Sequence, residues 1–262
     1  MESSPGPWIS ALRHSHDRLR AAAEPLSPDQ LEQPSYASEW SIAQVLSHLG
    51  SQAEIFGLFL DAGLTGQDPP GREEFEPIWD SWNGKTPQAQ ASDALRADQA
   101  TLERFESLDA DQRTRLNLKL FGMELDAAGL ARMRVSEHAI HAWDVLVALD
   151  PAATVAPDAV ALLIDTLDQL AARSGKPDGQ PRKVRVSTTD PAREFTLETT
   201  GEAVTLTPAD GEVTPELGLS ELGLPAEAFV RLVYGRMDDA HTPHVVTAGV
   251  ELDELRPLFP GF

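Results

Sequence analysis

The 262-residue chain contains no cysteine. Disulfides and thiolate metal ligands are thereby excluded, and any sulfur nucleophile has to be brought by a cofactor. Cationic residues are scarce: 21 Lys and Arg stand against 42 Asp and Glu, a net charge of −21. Nucleic acid and anionic membrane would be repelled by that balance, which otherwise reads as a solubilising surface. No apolar run approaches the ~20 residues of a membrane span. Met1-Glu2-Ser3-Ser4-Pro5 is not a secretion signal, so a cytoplasmic location is expected. No internal repeat is visible. Hydrophobic residues make up 41%, enough for a real core in one large domain or two ordinary ones.

Helical periodicity dominates the first two thirds. Trp8, Leu12, Leu19 and Ala22 predict a helix from Trp8 to about Ala23. His14 and His16 on it are two apart and diverge, which reads as surface histidines. After a Pro-rich loop, Ser41 opens a second helix. Ser41 with Gln44 has the spacing of a capping box, and Trp40 with Val45 that of a hydrophobic staple. Val45, His48, Gln52, Ile55 and Phe59 recur at spacings of three and four, the row that a bundle helix turns inward. Gly63 to Pro77 reads as loop, with Ile78, Trp79 and Trp82 packing across the bundle end. Pro87 to Leu108 is a third helix with Leu95, Leu102 and Phe105 inward, and Arg113 to Phe121 a short extended stretch.

Glu124 to Leu149 has no Gly after Gly129 and no Pro, and reads as one helix. On it Leu130, Glu137, His141 and Ala148 fall in a stripe of roughly 40°. Ionisable groups in an otherwise apolar stripe need a partner, because burying them alone is costly. A shared divalent metal would supply one. Glu137 and His141 lie one turn apart on one face, and His48 from the second helix is the best third ligand. Zinc takes imidazole and carboxylate at ~2.0–2.2 Å, and two His with one Glu leave a fourth position open, the catalytic pattern. His138 with His141 is a rival pair, disfavoured because His138 lies ~60° off that face. Asp144, three residues on, could orient His141 or be a surface carboxylate.

Four long helices suggest a four-helix bundle. A further helix, Pro157 to Arg173, leads into the linker Ser174 to Pro181. Then the character changes. Lys183–Ser187, Glu194–Thr199 and Ala203–Thr207 alternate as a strand meander, Pro225–Tyr234 is helical, His244–Thr247 is another strand, and Leu252–Leu258 closes the chain. The expected architecture is thus a helical bundle over residues 1–174 and a small α+β domain over 175–262.

Glu39-Trp40-Ser41-Ile42-Ala43-Gln44-Val45-Leu46-Ser47-His48-Leu49 resembles the second-helix signature of the mycothiol-dependent maleylpyruvate isomerase family, whose members are DinB-like metal-binding bundles. Glu137-His138-Ala139-Ile140-His141-Ala142-Trp143-Asp144 is similar to that family's second motif. Leu224-Pro225-Ala226-Glu227-Ala228, Tyr234-Gly235-Arg236 and Leu258-Phe259-Pro260-Gly261-Phe262 fit its C-terminal segment. The resemblance implies a DinB-like bundle followed by a sterol-carrier-like domain. It implies a divalent metal, usually zinc, on His48, Glu137 and His141, with the thiol of mycothiol at the open position. It further implies an assisting arginine from the second domain, either Arg236 or, as the alternative, Arg231. The expected activity is thiol addition to an electrophilic small molecule, as isomerase or S-transferase. The competing expectations are a non-catalytic carrier of a small molecule or lipid, and a metal-dependent hydrolase.

Overall fold

The computed structural model describes residues 4–37, 39–209 and 219–261. Met1, Glu2 and Ser3 of the opening segment and Phe262 of the closing motif lie outside the described residues. The chain divides into two compact units, Met1–Ala159 and Val160–Phe262. This division falls ahead of the linker at Ser174 that the composition suggests.

The first unit is built on four long helices: α1 (Gly6–Ala23), α3 (Ile42–Thr65), α5 (Pro87–Ser107) and α7 (Ala127–Leu149). Shorter α2 (Pro28–Leu31), α4 (Arg72–Asn83) and α6 (Ala110–Arg115) and a hairpin, β1 (Leu118–Leu120) with β2 (Met123–Leu125), connect them. The starts are set by side chains. Ser41 accepts from the Gln44 amide at 3.3 Å while Gln44 Oε1 accepts from the Ser41 amide at 2.8 Å, the expected capping box. Asp126 caps α7 by accepting from Gly129 N at 2.7 Å. Part of the core is a cluster of Leu19, Ile42, Val45, Leu46, Leu49, Trp82, Ala94 and Val145 with their neighbours.

Two expectations change here, over 72–77 and 113–121, while the packing role of Trp82 holds. Residues 72–77, expected as loop, belong to α4 despite the internal Pro77; Glu74 reaches back to the Gly71 amide at 2.9 Å to start that helix. Trp82 is a core residue, 2% exposed, with its ring against Gly50. Arg113–Arg115 are helical and the extended stretch is a true hairpin, turned at Phe121 and Gly122, both at positive φ. Among the described residues no helix is long and apolar enough to cross a membrane.

The helix expected over 157–173 is interrupted. It comprises α8 (Pro157–Leu163), a 3₁₀ turn over Ile164–Thr166 and α9 (Leu167–Ser174). The second unit's sheet runs β5 (Val204–Pro208), β4 (Arg193–Thr199), β3 (Arg182–Thr189), β6 (Ser220–Pro225), β7 (Val246–Ala248). β3–β4–β5 is the expected meander; β6, which the periodicity does not show, pairs parallel with β3 and makes the sheet mixed. Val186 stands opposite both Phe195 and Leu222, all buried. Phe195 packs on Phe229 of α10 (Ala226–Val233) with ring centroids 5.4 Å apart. That is the ordinary filling of a sheet-on-helix core. Leu252–Leu255 forms α11.

Candidate metal centre

The inward row of α3 and the polar stripe of α7 meet. His48 Nε2 lies 3.6 Å from Glu137 Oε2, and that oxygen lies 3.8 Å from His141 Nε2. The three ligand atoms all fall within 4.8 Å of one another. The His48 and His141 rings stand nearly edge to face, centroids 4.6 Å apart.

Those separations are informative. They are too long for hydrogen bonds, and His48 Nε2 is buried with no hydrogen-bond partner among the described residues. An orphaned buried imidazole nitrogen is costly. Ligands at ~2.0–2.1 Å around one tetrahedral ion are about 3.4 Å apart along each edge, close to what is found. The donor set and its spacing therefore fit a divalent cation. The side chains of His48, Glu137 and His141 keep 21%, 31% and 11% exposure, so the site remains reachable from solvent.

Electrostatics favour the ligand-ready forms. Burial lowers the proton affinity of His48 against the opposing pull of Glu137. Burial alone would raise the Glu137 carboxyl, but the neighbouring His48 and His141 rings and the Arg134 charge outweigh it and hold it below its usual range. His141 Nδ1 pairs with Asp144 Oδ2 at 2.9 Å. With Nδ1–H donated there, Nε2 is left with its lone pair facing Glu137. Asp144 is fully buried, so the surface-carboxylate alternative is set aside.

The chain segment before α3 forms a rim. Tyr36 N donates to Asp144 O at 3.0 Å, and the Tyr36 and Trp143 rings pack at 4.7 Å. Ser35 bonds the Trp40 carbonyl through both its amide and its hydroxyl at 2.9 Å. Trp40 turns its ring to His48, 5.3 Å between centroids, and stays 38% exposed.

His138 faces elsewhere, as its angle on the wheel implies. It belongs to a second, closed cluster with His16 and Asp98. His16, expected on the surface, is fully buried, while His14 is exposed and pairs with Asp158 at 2.5 Å. The wheel carried the signal, since His16 falls in the row of Leu12 and Leu19. Asp98 and Arg134 were likewise missed, although Asp98 falls in the row of Leu95, Leu102 and Phe105. Ser15, His138 and Asp98 are the residue types of a hydrolytic triad, with Ser15 Oγ 2.8 Å from His138 Nδ1. At 2%, 0% and 3% exposure they are sealed from any substrate.

The two arginines lie in the second unit. Arg236 is buried, its Nη1 donating to Tyr234 O at 3.0 Å. Arg231 makes paired bonds to Glu227 at 2.7 and 3.0 Å and another to His241 O at 2.8 Å.

Known proteins agree with this reading at the level of family and fold. The crystal structure of the mycothiol-dependent maleylpyruvate isomerase is similar at a TM-score of 0.68, with 95% of each chain covered and 15% identity. A histidine-to-alanine variant of that isomerase matches equally. At that identity the likeness speaks for fold alone. A Geobacillus thermodenitrificans (strain NG80-2) protein with the provisional name metal-dependent hydrolase is 39% identical over 69 residues, 26% of this chain. The chain spans 38% of that relative's length. A family model described as the mycothiol maleylpyruvate isomerase N-terminal domain matches residues 12–146, just over half of the sequence. The chain belongs to the mycothiol-dependent maleylpyruvate isomerase family.

Proposed function

We propose that His48, Glu137 and His141 hold one divalent metal, zinc as first choice, and that the protein is an enzyme activating a low-molecular-weight thiol for addition to an electrophilic small molecule. Family membership supports mycothiol as that thiol. The observation that carries the metal reading is the buried, unpartnered His48 Nε2 at 3.6 Å from a carboxylate that also faces His141. Two imidazoles and one carboxylate leave a fourth position open. A cation bound there would lower the proton affinity of a thiol sharing it, so that thiolate forms near neutral pH.

The chain's own residues do the rest. Asp144 keeps His141 in the coordinating tautomer. Trp40 supplies an apolar wall beside His48. Arg236, in the Gly-Arg step of the closing motif, is the first choice to hold a substrate carboxylate or the developing enolate, and Arg231 is the second. Isomerisation and S-transfer share the addition step: an isomerase releases the thiol after rotation about the former double bond, and a transferase leaves it on the product. The absence of cysteine agrees with a borrowed sulfur.

Metal-dependent hydrolysis is the second reading, favoured by the local identity to the Geobacillus protein. Turnover without any added thiol would support it, whereas calorimetric binding of mycothiol to the metal-loaded protein, lost in His48→Ala, supports the first.

A further inference from the structure

The closed cluster beside the metal centre ties together all four long helices through one carboxylate. Asp98 Oδ2, on α5, is 2.6 Å from His16 Nδ1 on α1 and 2.8 Å from His138 Nε2 on α7. Asp98 Oδ1 accepts from Arg134 Nη2 on α7 at 2.6 Å. The same Arg134 nitrogen donates to Leu49 O on α3 at 3.1 Å, and the guanidinium lies over the Phe56 ring at 5.5 Å. Asp98, His16, His138 and Arg134 are 0–3% exposed.

This cluster differs from the metal centre in kind. Its carboxylate–imidazole separations are hydrogen-bond lengths, shorter than the edges of a coordination tetrahedron, and an arginine occupies the second carboxylate oxygen. Burial would raise Asp98, but His138 and Arg134 and the bonds it accepts outweigh this and hold it well below its usual range. His138 is kept neutral chiefly by burial. His138 Nε2 approaches Asp98 Oδ2 at 2.8 Å, the distance of an ion-pair contact, and its Nδ1 lies 2.8 Å from the Ser15 hydroxyl.

The position of the cluster gives it a consequence. Arg134 is three residues before Glu137, His138 is next to Glu137, and Leu49 is next to His48. Side-chain atoms ~5–6 Å from a helix axis move about 2 Å when that helix turns by ~20°, as far as a metal–ligand bond is long. We propose that Asp98 and Arg134 are positioning residues for the metal centre: they lock the rotation of α7 against α3 so that Glu137 and His141 converge on His48. The role rests on the metal reading above.

The test measures zinc affinity by chelator competition, cobalt(II) absorption and thermal melting for wild type, Arg134→Lys and Asp98→Asn/Arg134→Met. The lysine keeps a cation for Asp98 but cannot span to Leu49 O as well. The double variant removes both buried charges together, which costs far less than removing one. Expected are folded proteins whose zinc dissociation constants rise about ten-fold or more, the scale of lost outer-sphere support, with displaced cobalt bands. Wild-type zinc affinity and an unshifted cobalt spectrum in either folded variant would overturn the positioning role while leaving the metal centre standing. A wild type that takes up no zinc would remove both.

Discussion

Asp144 Oδ2 sits 2.9 Å from His141 Nδ1 and is fully buried, so the carboxylate serves the imidazole and nothing in solvent. Asp144→Asn keeps the shape but can present an amide N–H to Nδ1 and reverse the tautomer. Zinc affinity should fall about 10–100-fold with the melting transition little changed. Chelator competition checks it; wild-type affinity would remove Asp144 from the centre.

Metal retention should resist mild acid. Burial disfavours the imidazolium of His48, so its neutral, coordinating form persists below the ordinary value of 6.5. Glu137 is also held below its usual range. Dialysis across pH 8 to 5 followed by elemental analysis should show proton competition only below about pH 6.5. Loss of metal already above pH 7 would contradict it.

Stability should depend on acid through Asp98. Its folded pKa lies well below the ordinary 3.8. The unfolded chain therefore takes up the proton first as pH falls, so the stabilisation is complete above about pH 4 and drains away below it. Asp98→Asn should cost about 3–5 kcal/mol at pH 7, because Arg134 is left buried and uncompensated. Below pH 4 its stability should change less with pH than that of wild type. Urea titrations at pH 7, 4 and 3 measure both.

Gly50→Ala should destabilise the bundle. A Cβ there would meet the Trp82 ring at 2.3 Å, and Trp82 is 2% exposed, with no room to withdraw. A loss of about 1–3 kcal/mol is expected for such overpacking, read by thermal or urea unfolding.

The convergence of His48, Glu137 and His141 was legible because they break apolar stripes whose period is regular, and the capping box placed the start of α3. The buried cluster obeys the same rule: Asp98 and His16 also fall in inward rows, but each reads as an ordinary surface group until a second helix is known to face it. Pro77 argued against α4 by its lost amide and its clash with the carbonyl four residues earlier, yet the helix runs through it from Arg72 to Asn83, started by the Glu74 bond to the Gly71 amide. Nothing in 157–173 marks the 3₁₀ break at Ile164–Thr166. β6 is short and interrupted by Gly223, and its partner residues in β3 lie 36 positions earlier, so no local period announces it.

The most direct test is the metal content of the purified protein beside His48→Ala. Coordination by His48, Glu137 and His141 predicts about one zinc or other divalent ion per chain in wild type and a clear loss in the variant. Equal metal in both, or none in wild type after zinc loading, would contradict it.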